Sequence, residues 1–517
     1  MNLMRAVATV GGLTLVSRVL GFARDVLVAA ALGAGMAADA FFVAFKLPNF
    51  FRRLFAEGAF SAAFVPIFAE TLTVKGREDA RRFAEDAMAA LLAILLLLTV
   101  AAQLAMPWVM RVLAPGFASD PAKFDLAVAF TVVTFPYLLF ISLVALQGGV
   151  LNALGRFAAV AATPVLLNLC LIGAVLVAAR ASVDPGLALA WGVFAAGALQ
   201  FLWLVWSCRA AGMALRFRLP RPTPEIRRLL VLALPAAVGA GVAQINLVVD
   251  VILASFLPGG SVSYLFYADR LNELPIGVIG VAVGTALLPL IANRIAAGDE
   301  AGALAAQNRA IEAVLLFALP AGAGLMLLAE PLISVMFQRG AFDGAQASAT
   351  AAALVAYSAG LPGYVLVKAL TPGFYARQDT RTPVKIAVAC VALNLALNLI
   401  LMWPLLHVGL ALSTAIASSA NAAMLYVVLR RRGHFAPDDR LKHRVPRMAA
   451  AAAIMGAVVW ALGHWFAKDL SPGDEIRRWS ALLGIVGAGG LAYVAVAQIL
   501  GAADWRELRR LLRRKAD

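Results

Sequence analysis

Apolar residues run along this chain in long blocks separated by short polar stretches. The blocks fall near residues 6–32, 37–69, 86–112, 125–152, 157–180, 186–208, 227–257, 262–293, 310–337, 346–374, 383–404, 408–430, 446–467 and 479–500. A helix rises 1.5 Å per residue, so about 20 apolar residues cross the ~30 Å hydrocarbon core of a bilayer. Backbone polar groups in lipid must be satisfied within the segment, which makes each such run a helix. The pattern predicts fourteen membrane-spanning α-helices with both chain ends on one side. The first block follows Arg5 and resembles a secretory leader, yet hydrophobicity resumes past any cleavage position, which predicts a retained first helix.

Composition removes the alternatives. Of the 517 residues, 62% are hydrophobic and only 14% charged, against about 25% charged in a soluble domain. With a mean hydropathy of +0.86, a soluble enzyme, a disordered protein and a secreted disulfide scaffold are all excluded. Cys170, Cys208 and Cys390 are far apart with no CxxC spacing and read as small packing residues. The net charge of +15 does not point to nucleic acid, because the basic residues alternate with the apolar runs. Thirty Lys and Arg fall on the side of the termini and seven on the other, which predicts cytoplasmic termini by the positive-inside rule.

An internal repeat changes the picture from a row of helices to two lobes. Ala44-Phe45-Lys46-Leu47 matches Ala268-Asp269-Arg270-Leu271, and AFSAAFVPIFA (59–69) matches AVGTALLPLIA (282–292), with Pro66 over Pro289. Thr163-Pro164 recurs as Thr382-Pro383. Six helices per unit is even, so the halves share one orientation about an axis along the membrane normal. The competing account is chance likeness among small-residue helices. The expected fold is an all-α integral membrane protein with lobes at 1–215 and 216–435, related by pseudo-two-fold symmetry. Two extra helices and a basic tail follow at 436–517.

Seven bases lie inside the predicted spans: Arg18, Arg24, Lys46, Arg52, Arg53, Arg270 and Lys368. Nearby acids are Asp25, Asp39, Glu57, Asp250, Asp269 and Glu273. A charge at the bilayer centre costs about 2.5–3.5 kcal/mol on insertion scales, so these groups face an aqueous cavity or pair with one another. Asp39, Lys46, Arg53 and Glu57 are spaced 7, 7 and 4, a polar stripe on the second span that Pro48 interrupts. Internal salt bridging, as in Arg24-Asp25 or Arg270-Glu273, is one reading. Five of the seven bases are arginine, however, whose planar fork suits bidentate phosphate contact. An anionic, phosphorylated cargo is the sharper reading. Lys368 is open between the cavity and a snorkelling role.

Other signals are weaker. Asp250, Asn394, Asn398 and Thr414 supply oxygen ligands suited to a monovalent cation such as sodium, with interhelical hydrogen bonding as the competing account. The stretch LRRRGHFAPDDRLKHRVPR and the tail WRELRRLLRRKAD are basic and suit anionic membrane lipids. The Ala- and Gly-rich last two spans suit either a groove for a long hydrocarbon chain or plain packing. No Walker A, GxSxG, HExxH or GxGxxG motif occurs, and no ATPase module. An Asp-rich metal motif, as a membrane-embedded transferase would need, is also missing. A transporter driven by a gradient, the membrane potential or consumption of its cargo is the class that remains.

Four long blocks carry a family resemblance. GFARDVLVAAALGAGMAADAFFVAFKLPNFFRRLFAEGAFSAAFVPIFAE (21–70) closely resembles the opening of the MurJ (MviN) family, lipid II flippases of the MOP exporter superfamily. YADRLNELPIGVIGVAVGTALLPLIA (267–292), FQRGAFDGAQ (337–346) and PGFYARQDTRTPVKIA (372–387) resemble further blocks in the same order. The resemblance implies a cargo of lipid II, an undecaprenyl-diphosphate disaccharide pentapeptide. It is moved from the inner to the outer leaflet of the bacterial plasma membrane by alternating access. It implies that Arg18, Arg24 and Arg52 cradle the diphosphate from the first lobe and Arg270 from the second. Lys46 and Arg53 stand beside these arginines, and Asp25, Asp39, Glu57 and Glu273 are the cavity or gating acids. It further implies a lipid-tail groove at the last two helices, and brings in anionic lipids and cell-wall synthesis proteins as partners. A second carboxylate is expected where Asn398 stands, a departure that touches ion coupling. Another MOP-type exporter, for oligosaccharide lipids or drugs, is the alternative.

Overall fold

The computed structural model describes residues 3–52 and 60–503. Among them the secondary structure is helical, without strands. The chain divides into two compact units, Met1–Ser263 with Arg339–Phe342, and Tyr264–Gln338 with Asp343–Asp517.

In chain order the helices are α1 (Leu3–Leu32), α2 (Met36–Phe51), α3 (Phe60–Val74), α4 (Arg77–Leu104), α5 (Met106–Leu113), α6 (Pro121–Thr134) and α7 (Tyr137–Ala153). Then come α8 (Phe157–Ala161), α9 (Thr163–Ala181), α10 (Pro185–Ala210), α11 (Pro224–Ser255), α12 (Ser261–Ala296), α13 (Glu300–Leu327) and α14 (Ala329–Phe337). The last are α15 (Gly344–Ala359), α16 (Leu361–Tyr375), α17 (Arg381–Arg431), α18 (Asp439–Trp465), α19 (Ala467–Leu470) and α20 (Glu475–Ile499). Several predicted spans are broken helices, as where α6 passes to α7 at Phe135-Pro136 and α15 to α16 at Gly360 with Pro362 next. Proline has no N–H to give the preceding turn, so a break there is expected. Starts are marked by side-chain caps: Asp184 accepts from Leu187 N and Asp438 from Leu441 N, both at 2.7 Å.

Nine helical stretches among the described residues are long and apolar enough to cross a membrane. One of them, α17, has 51 residues, about 76 Å of helix and far more than one crossing needs. Leu406 interrupts it with φ 51° and ψ −133°, two residues after Pro404. The chain reverses there. Asn394 Nδ2 donates to Thr414 Oγ1 at 3.3 Å, and Cys390 Sγ lies 3.9 Å from Met424 Sδ. These pairs require two antiparallel arms, which coincide with the predicted spans 383–404 and 408–430. The remaining predicted spans fall on α1, α2 with α3, α11 and α12.

Packing within each unit relies on small residues. Association of helices in lipid is driven by close van der Waals fit rather than by exclusion of water. In the first unit Gly197 of α10 lies under Tyr137 of α7, where a Cβ would come within 2.9 Å of the ring. In the second, a Cβ on Gly360 would lie 2.6 Å from the Ala415 Cα. The last two long helices belong to the second unit. Tyr493 Oη of α20 donates to Leu316 O of α13 at 2.7 Å, and Glu312 of α13 is bound by Arg309, Arg440 and Arg444.

Candidate functional site

The charges of α1 occupy two different environments. Arg24 is buried, with Nε and Nη2 donating to Asp25 Oδ1 at 3.0 and 2.6 Å and Nη1 to Asn168 Oδ1 of α9 at 3.0 Å. Asn168 Nδ2 in turn donates to the Ser17 carbonyl at 2.9 Å. Arg18 is exposed, with no hydrogen bond or ion pair among the described residues. The local pairing read for Arg24-Asp25 therefore exists.

On α2, Lys46 and Arg52 are half-buried, and Arg52 Nε donates to Asn49 Oδ1 at 3.2 Å. Arg53 and Glu57 lie outside the described residues. Asp39, at the other end of α2, is fully buried and accepts four hydrogen bonds. The donors are Lys123 Nζ (2.7 Å), Gly260 N (2.8 Å), Ser263 N (2.9 Å) and Ser263 Oγ (2.6 Å). Since α12 begins at Ser261, Asp39 caps that helix from a remote part of the chain. Its negative charge sits at the positive end of the helix dipole. Lys123 also lies 4.2 Å from the centre of the Phe117 ring. Two neighbouring contacts close the same end of the unit: Ala341 N donates to Ala30 O at 2.8 Å, and Gly116 N to Ser255 Oγ at 3.0 Å. Gly340, with φ 57°, lets the first form, since a Cβ there would stand 2.3 Å from the Ala30 carbonyl oxygen.

Lys123 is the residue sequence reasoning missed. It counts there as a loop base outside the spans. A signal was present, because Lys123 occupies the first turn of α6, where the dipole disfavours a cation. A lysine kept in such a place needs a carboxylate partner.

In the second unit, Arg270 lies with its guanidinium carbon 4.8 Å over the Phe266 ring and Nη1 3.5 Å from Glu273 Oε2. The two side chains are 37% and 54% exposed, so this pair is open to solvent and weakly held. Lys368 of α16 is exposed, and its stem crosses Gly280 of α12, where a Cβ would come within 2.4 Å of the Lys368 Cδ. Gly280 is ten residues beyond Arg270, about 15 Å along the helix. Asn398 Nδ2 donates to Asn394 Oδ1 at 3.1 Å, so Asn394, Asn398 and Thr414 bond to one another inside the α17 hairpin. Asp250 is half-buried on α11 in the other unit. Among the described residues, no three His, Cys, Asp or Glu stand together to hold a metal ion. Between α18 and α20 lies a largely apolar cavity of about 460 Å³ lined by Leu462, Phe466, Ala481, Gly484 and Ile485, with the Asp469–Arg477 ion pair at its rim.

Membrane-length helices that carry arginines partway along, with Arg18 exposed and unpaired among the described residues, mark a polytopic membrane protein of the transporter class. The chain belongs to the lipid II flippase MurJ family, whose model matches residues 28–480. It is 45% identical over 522 residues to a "Probable lipid II flippase MurJ" of Rhizobium meliloti, covering all of this chain and 97% of that one. It is 39% identical to a "Lipid II flippase MurJ" of Burkholderia cenocepacia, with 93% and 95% covered. A solved structure described as "Lipid II flippase MurJ, inward closed conformation" matches with a TM-score of 0.78 at 27% identity, over 96% of this chain and 99% of that one. An inward-facing multidrug transporter of the MATE family within the MOP superfamily shares the fold, at a TM-score of 0.68 and 15% identity over 80% of this chain and 94% of that one. These relatives are transporters, not catalysts, and the chain is a multi-span membrane protein of the same kind.

Proposed function

We propose that this chain flips lipid II from the cytoplasmic to the periplasmic leaflet by alternating access, with the diphosphate as the group it grips. Fourteen crossings in two six-helix lobes plus a final pair, with both termini cytoplasmic, is the topology that accompanies this reading. Family membership gives the cargo. The observation that carries the site is Arg18, exposed and without a partner among the described residues on a membrane-length helix. A permanently charged guanidinium in that setting is suited to a phosphate. Arg270, in an exposed pair with Glu273, is the second contact.

Asp39 acts as the latch of the periplasmic end. It ties α2 to the start of α12, segments that the internal repeat assigns to different lobes. Opening outward requires the three hydrogen bonds from Gly260 and Ser263 to break, while that from Lys123 persists. The cavity between α18 and α20 accommodates part of the polyprenyl tail, and the basic stretches hold anionic lipid at the cytoplasmic face.

Complementation tests the cargo. In a host depleted of its own flippase, the parent chain should restore growth and lipid II exposure on the outer face. Failure of a correctly inserted parent to do so would move the assignment to another lipid-linked cargo.

A further inference from the structure

Ser17, Gly21 and Arg24 fall within about 60° of one another around α1, at about 100° per residue. All three meet Asn168. Its amide donates to the Ser17 carbonyl (2.9 Å) and the Ser17 hydroxyl (3.4 Å), and its oxygen accepts from Arg24 Nη1 (3.0 Å). A Cβ on Gly21 would stand 3.4 Å from Asn168 Nδ2, so the amide lies flat against the helix at the one residue without a side chain. Asn168 itself is 5% exposed. Arg18 projects about 90° away from the middle of this arc, on the exposed side.

We infer that Asn168 is a positioning residue: it fixes the rotation of α1 about its own axis, and so decides that Arg24 is buried against Asp25 while Arg18 is presented to the diphosphate. The inference rests on the reading of Arg18 as a phosphate contact. A carboxamide suits the task because it supplies one donor and one acceptor at once. The donor takes a carbonyl that Gly21 N–H alone would otherwise satisfy, and the acceptor takes one of the guanidinium N–H donors that Asp25 leaves open. A leucine here would pack but could hold neither group.

The test uses the full chain in nanodiscs, with geranylgeranyl diphosphate as probe and geranylgeraniol as the uncharged control. Arg18→Ala should weaken diphosphate binding about tenfold or more, in line with loss of a charge-assisted contact. Asn168→Ala should weaken it comparably, leave the alcohol unaffected, and add less than about twofold when combined with Arg18→Ala, as coupled sites do. Gly21→Leu pushes Asn168 away from the α1 side and should reproduce the effect, which keeps the test available if Asn168→Ala does not fold. Gly21→Ala, at ordinary contact distance, should bind like the parent. If Asn168→Ala and Gly21→Leu bind like the parent, or their losses multiply with that of Arg18→Ala, the positioning role is wrong. If Arg18→Ala itself binds like the parent, the underlying reading of the site is what fails.

Discussion

Asp39 and Lys123 are 84 residues apart in sequence, and their charged groups meet at 2.7 Å with the carboxylate wholly buried. The two partners are not equivalent. Removing Lys123 leaves Asp39 with three other donors, whereas removing Asp39 leaves a buried ammonium with, among the described residues, the Phe117 ring beside it. Asp39→Ala should therefore cost about 3–5 kcal/mol, the usual penalty for an uncompensated buried charge. Lys123→Met should cost clearly less. Thermal unfolding of the purified variants reads the difference, and equal losses would contradict the four-donor description.

Glu312 gives a second asymmetry. One carboxylate, 8% exposed, serves Arg309, Arg440 and Arg444, and so ties α18 to α13. Glu312→Ala removes the carboxylate that the three guanidinium groups share, while Arg309 keeps Asp438, and should destabilise by about 1.5–3 kcal/mol. Losing any single arginine leaves the others in place. Limited proteolysis in the segment before α18, near residues 432–438, should rise in Glu312→Ala and stay near the parent level in Arg440→Ala.

Leu406 holds a positive φ in the turn of the α17 hairpin, a conformation that suits glycine and costs other residues about 1–3 kcal/mol. Leu406→Gly should raise the melting temperature or, at the least, leave it unchanged. A drop of several degrees would mean that the Leu406 side chain contributes more than its backbone costs.

Where the two ends of the α17 hairpin meet, the hydroxyl and N–H of Thr382 and the Arg432 guanidinium hold the Asp379 carboxyl well below the usual carboxylate range. A carboxyl more acidic in the folded than in the unfolded protein stabilises fully above its unfolded pKa, about 4. That contribution is lost as pH falls further, toward the folded value. Asp379→Asn should melt below the parent at pH 7, with the gap closing below about pH 4. A gap that does not change between pH 7 and pH 3 would remove the carboxylate as its source.

The two arms of α17 were legible because apolar length is a direct consequence of bilayer thickness, and the dip at Pro404 marks the turn between them. The pairing of Arg24 with Asp25 was legible too, since neighbours in sequence are neighbours on the helix. What could not be read was the split between Arg18 and Arg24. Six residues apart on one helix, they have the same chemistry, and only Asn168, 144 residues away from Arg24, separates their roles. Asp39 read as a member of a stripe facing a cavity. Its donors come from two distant segments, around Lys123 and Gly260–Ser263, which no periodicity within α2 encodes.

We propose that Arg18 of α1 and Arg270 of α12 each contact the diphosphate of lipid II during flipping. Translocation of lipid II in proteoliposomes holding equal amounts of the parent, Arg18→Ala and Arg270→Ala tests this. The parent should move lipid II, and each variant should be slower by about tenfold or more, the loss of a charge-assisted contact being worth roughly 1.5–3 kcal/mol. Undiminished flipping by both variants would contradict it.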